Sequence, residues 1–77
     1  MSEAKMTQTE MVLDYIGEFG SITQLDALRD LGVMRLASRM SDLKKLGFTL
    51  IKEREAVKNR YGDTCYIARY RIKELEQ

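Results

Sequence analysis

Apolar residues recur at helical spacing in three stretches of this chain and at alternating spacing in its last third. Val12, Leu13, Tyr15, Ile16 and Phe19 form the first helical pattern. Ahead of it, Thr7-Gln8-Thr9-Glu10 has the form of a capping box, with Met6 and Met11 placed as a hydrophobic staple, and Gly20 closes the run. The spacing predicts a helix over about 8–19. Ser21-Ile22 reads as a short extended link, after which Thr23, with Asp26 three residues on, caps a second helix whose apolar stripe is Leu25, Leu28 and Leu31. Gly32 stops that helix with a left-handed turn, and Val33 is expected to point inward. A third helix is predicted from about Met34 to Leu46, with Leu36, Met40 and Leu43 as its buried positions, helped by Ala37 and Leu46, and Gly47 as its end.

Beyond Gly47 the period shortens to two. Phe48–Val57 is rich in β-formers interleaved with charge, Lys58-Asn59-Arg60-Tyr61-Gly62-Asp63 has turn composition, and Thr64–Ile72 alternates. The alternation sets Tyr66, Ala68, Tyr70 and Ile72 on an apolar face and Cys65, Ile67, Arg69 and Arg71 on the other, which predicts a hairpin. Residues 1–6 and 73–77 read as polar tails around one domain, 7–72. The order is three helices and then a hairpin, with only Leu31-Gly32-Val33 between helices two and three. That is an α+β fold in which a helix-turn-helix is followed by a β-hairpin wing.

Composition narrows the function. The chain has 77 residues, no histidine and one cysteine, so zinc fingers, disulfide frameworks and histidine-dependent catalysis are excluded. Neither a metal nor a cofactor is expected, and a chain this small encloses little of a pocket, so the expectation is a binding protein and not an enzyme. No apolar run reaches membrane-spanning length, and a cytoplasmic location is expected.

Charge adds the next constraint. The formal net charge is only +1, yet residues 1–30 carry Lys5 and Arg29 against Glu3, Glu10, Asp14, Glu18, Asp26 and Asp30. Between Arg35 and Arg60 the balance reverses, with Asp42, Glu53 and Glu55 against eight Lys or Arg. Such asymmetry points to a polyanionic partner, the alternative being a solvated surface of mixed charge.

The stretches Gly20-Ser21-Ile22-Thr23, Gly32-Val33, Arg35-Leu36-Ala37-Ser38-Arg39, Leu43-Lys44-Lys45-Leu46-Gly47, Lys58-Asn59-Arg60-Tyr61-Gly62 and Ala68-Arg69-Tyr70-Arg71 resemble the small winged helix-turn-helix proteins of bacteriophages and prophages. More distantly, they are similar to the DNA-binding domain of the biotin operon repressor. The resemblance implies a recognition helix in the major groove and a wing beside it. With Leu36, Met40 and Leu43 inward, the candidate base-reading residues are Arg35, Ser38, Arg39 and Asp42. Arginine suits that role because its planar fork grips guanine O6 and N7 together, and Asp42 would accept from cytosine N4. Lys44 and Lys45 are assigned to the backbone phosphates and Lys58, Asn59 and Arg60 to a minor groove.

Several residues have plainer readings. Arg69 and Arg71 are expected to pair across the hairpin with Glu53 and Glu55. Tyr66 and Tyr70 are expected in the core, which leaves Tyr61 as the better stacking residue and provides no aromatic platform for RNA. One departure from the resembled pattern stands out. Met34 occupies the place where related domains put a capping Ser or Thr at the start of helix three.

The expected function is double-stranded DNA binding by a regulator or architectural accessory factor. A homodimer and a host protein are the further partners this reading allows. The rival is a protein-binding module, such as a counter-defence inhibitor whose acidic face mimics nucleic acid toward a host nuclease.

Overall fold

The structure is a computed structural model that describes residues 6–76. Helix α1, Gln8–Phe19, begins at the expected capping box: the Thr7 hydroxyl accepts from the Glu10 amide at 3.1 Å, and the Thr7 amide donates to Glu10 at 2.8 Å. Strand β1, Ile22–Thr23, leads directly into α2, Gln24–Asp26, which continues as a π-helical turn, Ala27–Leu31. A second capping box, between Thr23 and Asp26, starts α2. Gly32, at φ 69°, turns the chain into α3, Leu36–Lys45. Strands β2, Leu50–Lys58, and β3, Thr64–Ile72, form the wing, and a 3₁₀ turn, Lys73–Leu75, follows.

The sheet has three strands in the order β1-β3-β2, all antiparallel. The predicted hairpin is therefore extended by Ile22 and Thr23, which pair with Tyr70 and Arg69. Together these elements form the expected α+β winged helix-turn-helix. The core is built from Val12 and Ile16 of α1, Ile22, Ala27 and Val33, the α3 residues Leu36, Met40 and Leu43, and Ile72 at the base of the wing. Val33 is fully buried, as its place in the turn suggested.

Four expectations are corrected. Helix α3 begins at Leu36, not Met34, so Arg35 stands at the cap position and not within the first turn. Of the Leu25, Leu28, Leu31 stripe only Leu31 packs against the core: Leu25 is 64% exposed and Leu28 is also exposed, while small Ala27 is buried. Leucines spaced by three drift across a helix face, and the widened π turn shifts them further. Ala37 and Leu46, expected to help bury α3, are both exposed, Leu46 one residue beyond its end. Finally, residues 73–75, read as part of a polar tail, form a turn tied to the start of β2. The Lys73 amide donates to the Thr49 carbonyl at 2.9 Å, and the Thr49 amide donates to Glu74 at 2.8 Å, which holds the Glu74 carboxylate below its usual pKa. The expected tail at 1–6 lies almost wholly outside the described residues.

Candidate nucleic-acid interface

Helix α3 turns Leu36, Met40 and Leu43 into the core, and it leaves Ala37, Ser41, Lys44 and Lys45 exposed, with Ser38 half-buried between them. Its start has no capping side chain of its own. Gln24 of α2 supplies one. Its Oε1 accepts from the Leu36 amide at 2.9 Å, and its Nε2 donates to the Val33 carbonyl at 2.8 Å. The two helices of the helix-turn-helix are thus clamped by one amide, which fixes the angle at which α3 is presented. Met34 contributes nothing to this and is 76% exposed.

The candidate base-reading residues divide into two groups. Arg35 is exposed and has no carboxylate partner among the described residues, and Ser38 sits on the outward side of α3. Arg39 and Asp42 face one another instead, with Nε 3.4 Å from Oδ2, and Asp42 also accepts from Thr9 of α1 at 3.3 Å. The Arg39 Nε is buried without a hydrogen bond, whereas Arg35 is exposed. Arg39 lies on the flank of α3 turned toward α1, about 100° of helical rotation from the neighbouring Ser38. Lys44 and Lys45 are exposed in the last turn, where a cation is also favoured by the helix dipole.

At the wing tip Lys58 and Arg60 are exposed, Arg60 lying 5.9 Å from the ring of Tyr61. Asn59 has a structural role in the turn. Its Oδ1 accepts from the amides of Tyr61 and Asp63, at 2.9 and 3.1 Å, so the side chain builds the turn. Arg69 and Arg71 form the anticipated cross-strand pairs, Arg69 with Glu55 at 2.7 Å and Arg71 with Glu53 at 2.7 Å, and Arg69 also donates to Ser21.

Tyr66 is the clearest departure. Expected in the core, it is 60% exposed, with the Arg54 guanidinium 4.4 Å from its ring centroid. The wing outruns the helices, so the face that is core at Ile72 is solvent-exposed by Tyr66. Lys52 stands similarly over Tyr70 at 5.9 Å. Sequence reasoning does not single out Lys52 and Arg54. The available signal is a cation at three of four alternating positions, Lys52, Arg54, Ala56 and Lys58, with no acid in that set.

Ion pairing divides the cations into two groups. Arg29 is held by Asp26 and Asp30, Arg39 by Asp42, and Arg69 and Arg71 by the glutamates of the wing's other face. Among the described residues, Arg35, Lys44, Lys45, Lys52, Arg54, Lys58, Arg60 and Lys73 have no carboxylate within ion-pair distance. All of these lie at α3 or in the wing and its end. The opposite side is acidic, with Asp14 and Glu18 exposed on α1. There Asp30 is held at a pKa of about 2, chiefly by the hydrogen bond from Arg29 and then by that from the Tyr15 hydroxyl, at 2.7 Å.

No helix of the described chain is long and apolar enough to cross a membrane. No curated protein and no solved structure gives a significant match. A helix-turn-helix clamped through Gln24 and a wing formed by β2 and β3 are nonetheless the parts of one known architecture, and residues 7–75 match the family described as winged helix-turn-helix domain, to which this chain belongs.

Proposed function

We propose that this protein binds double-stranded DNA, with α3 in the major groove and the wing tip against the neighbouring backbone. The observation that carries this reading is the segregation of cations. Among the described residues the cations without acidic partners all lie at α3 or in the wing and its end, whereas Arg29 is neutralised by Asp26 and Asp30, and Arg39, Arg69 and Arg71 are paired with carboxylates beside them. Arg35 and Ser38 are the base-edge candidates on the outward side of α3, and Lys44, Lys45, Lys58 and Arg60 are the backbone contacts. Ala37 and Leu25 border a groove of about 410 Å³ between α3 and the wing, whose other walls include Val57 and Ile67. An apolar surface of this kind suits thymine methyl groups and deoxyribose.

The proposed role is binding. The protein acts by occupying or shaping a site, in the manner of the phage and prophage regulators that the sequence resembles. Fluorescence anisotropy with a labelled duplex tests this. The native chain is expected to bind. The Arg35→Ala/Lys44→Ala/Lys45→Ala variant, folded by circular dichroism, is expected to bind at least tenfold more weakly, since each charge-assisted hydrogen bond removed costs on the order of 1 kcal/mol. Equal affinity in the two proteins would remove α3 from the interface, and no binding by either would turn attention to a protein partner.

A further inference from the structure

The wing is a two-faced ribbon, and only one face is neutralised. Side chains alternate along each strand, so the register assigns them without ambiguity. Lys52 pairs with Tyr70, Arg54 with Ala68, Ala56 with Tyr66, and Lys58 with Thr64. These eight residues share one face, and it holds three cations, two tyrosines and no carboxylate. The intervening positions include Glu53, Glu55, Arg69 and Arg71, whose charges cancel in the two ion pairs on the other face. The charged face begins where the core ends: Ile72 and Leu50 pack at its base, Tyr70 packs against them, and from Tyr66 outward it is exposed.

Tyr66 is built into this face as an open platform. Its cross-strand neighbour is Ala56 and its neighbour on the same face of β3 is Ala68, both too short to cover a ring. The Arg54 guanidinium lies 4.4 Å from the ring centroid, and 60% of the tyrosine remains open to solvent. Lys52 and Arg54, two residues apart on β2, stand about 7 Å apart along the strand, which is close to the separation of phosphates in an extended single strand, and Lys58 follows at about twice that distance, beyond Ala56. Stacking on tyrosine and on arginine planes needs a base whose face is free, a condition that duplex DNA does not meet in its interior.

We infer that this face of the wing, centred on Tyr66 and Arg54 with Lys52 and Lys58 on either side, binds single-stranded nucleic acid by stacking unpaired bases over the tyrosine while the lysines contact phosphate. This activity is separate from duplex recognition by α3, and either can exist without the other. The face reads no sequence, because every base offers a π surface.

The test compares native protein, Tyr66→Leu and Tyr66→Phe in anisotropy titrations with short labelled oligo-deoxythymidine and oligo-uridine strands, and with a duplex. The expected result is salt-dependent binding of one or both strands by the native chain. Tyr66→Leu is expected to weaken that binding by about fivefold or more, which corresponds to the lower end of base–aromatic stacking. Tyr66→Phe restores it, since the stacking surface is kept. Duplex affinity stays within about twofold across all three proteins. Tyr66 is exposed, so the variants are expected to fold, and circular dichroism verifies that they do. Tyrosine emission gives an independent signal, because a stacked base quenches Tyr66 and the Tyr66→Phe protein lacks that component. Failure of the native chain to bind either strand, or equal strand binding by native and Tyr66→Leu proteins, overturns the inference. Strand binding that depends on Tyr66, without duplex binding, upholds it and rejects the duplex reading alone.

Discussion

The first amides of α3 point at solvent unless some side chain reaches them, and Gln24 reaches Leu36 while holding Val33 with its other end. Loss of both bonds leaves an amide and a carbonyl at the helix-turn-helix junction without their protein partners. Gln24→Ala is expected to destabilise the fold by about 1–2 kcal/mol, the range of a lost helix cap. Thermal melts check this, with a fall of roughly 4–8 °C for each kcal/mol in a domain of this size. A melting temperature unchanged by the substitution would mean that water replaces the clamp at no cost. The two capping boxes are legible in the sequence because their partners are three residues apart. Gln24 is not, since its partners lie nine and twelve residues away and meet it only after the turn at Gly32 has formed. The same holds for Arg39 and Asp42, whose spacing indicates the helix but whose orientation depends on Thr9 of α1.

Among the elements, α1, α3 and the two long strands follow from periodicity, because each has a face whose pattern repeats. Helix α2 is legible in its cap and its end but not in its buried side, where a π turn replaces the regular spacing. In the wing, alternation correctly separates Tyr66 and Tyr70 from Arg69 and Arg71. It does not show where along the strand the helices stop covering that face, and so it assigns Tyr66 to a core that ends before it. The α1–α2 contact carries its own prediction. Tyr15 and Arg29 both donate to Asp30, and its folded pKa of about 2 lies below the roughly 3.9 of an unfolded aspartate. Folding therefore favours the ionised form. The stabilisation is complete above about pH 4 and is lost as the pH falls toward 2. In urea titrations across this window, native stability is expected to fall more steeply than that of Asp30→Asn. Parallel curves would show that the Tyr15–Asp30–Arg29 cluster does not contribute.

For the whole molecule, the net charge of +1 conceals an acidic α1 side and a basic α3–wing side. The sequence discloses this polarity as a contrast between its first 30 residues and the rest. It does not disclose which cations are already neutralised, because the Arg69–Glu55 and Arg71–Glu53 pairs depend on strand register and the Arg39–Asp42 pair on side-chain direction. Once these are set aside, the charges available to a polyanion lie on α3, the wing and Lys73. That distribution is the basis for reading this winged helix-turn-helix domain as a DNA-binding protein. The most direct test is the salt dependence of duplex binding, measured for the native chain and for Lys58→Ala/Arg60→Ala. Log K is expected to fall linearly with log salt concentration. Removing the two wing cations is expected to make the slope shallower by about 0.9 for each phosphate that is no longer neutralised. Binding that is absent at low salt, or that does not change with salt, would contradict the DNA-binding reading.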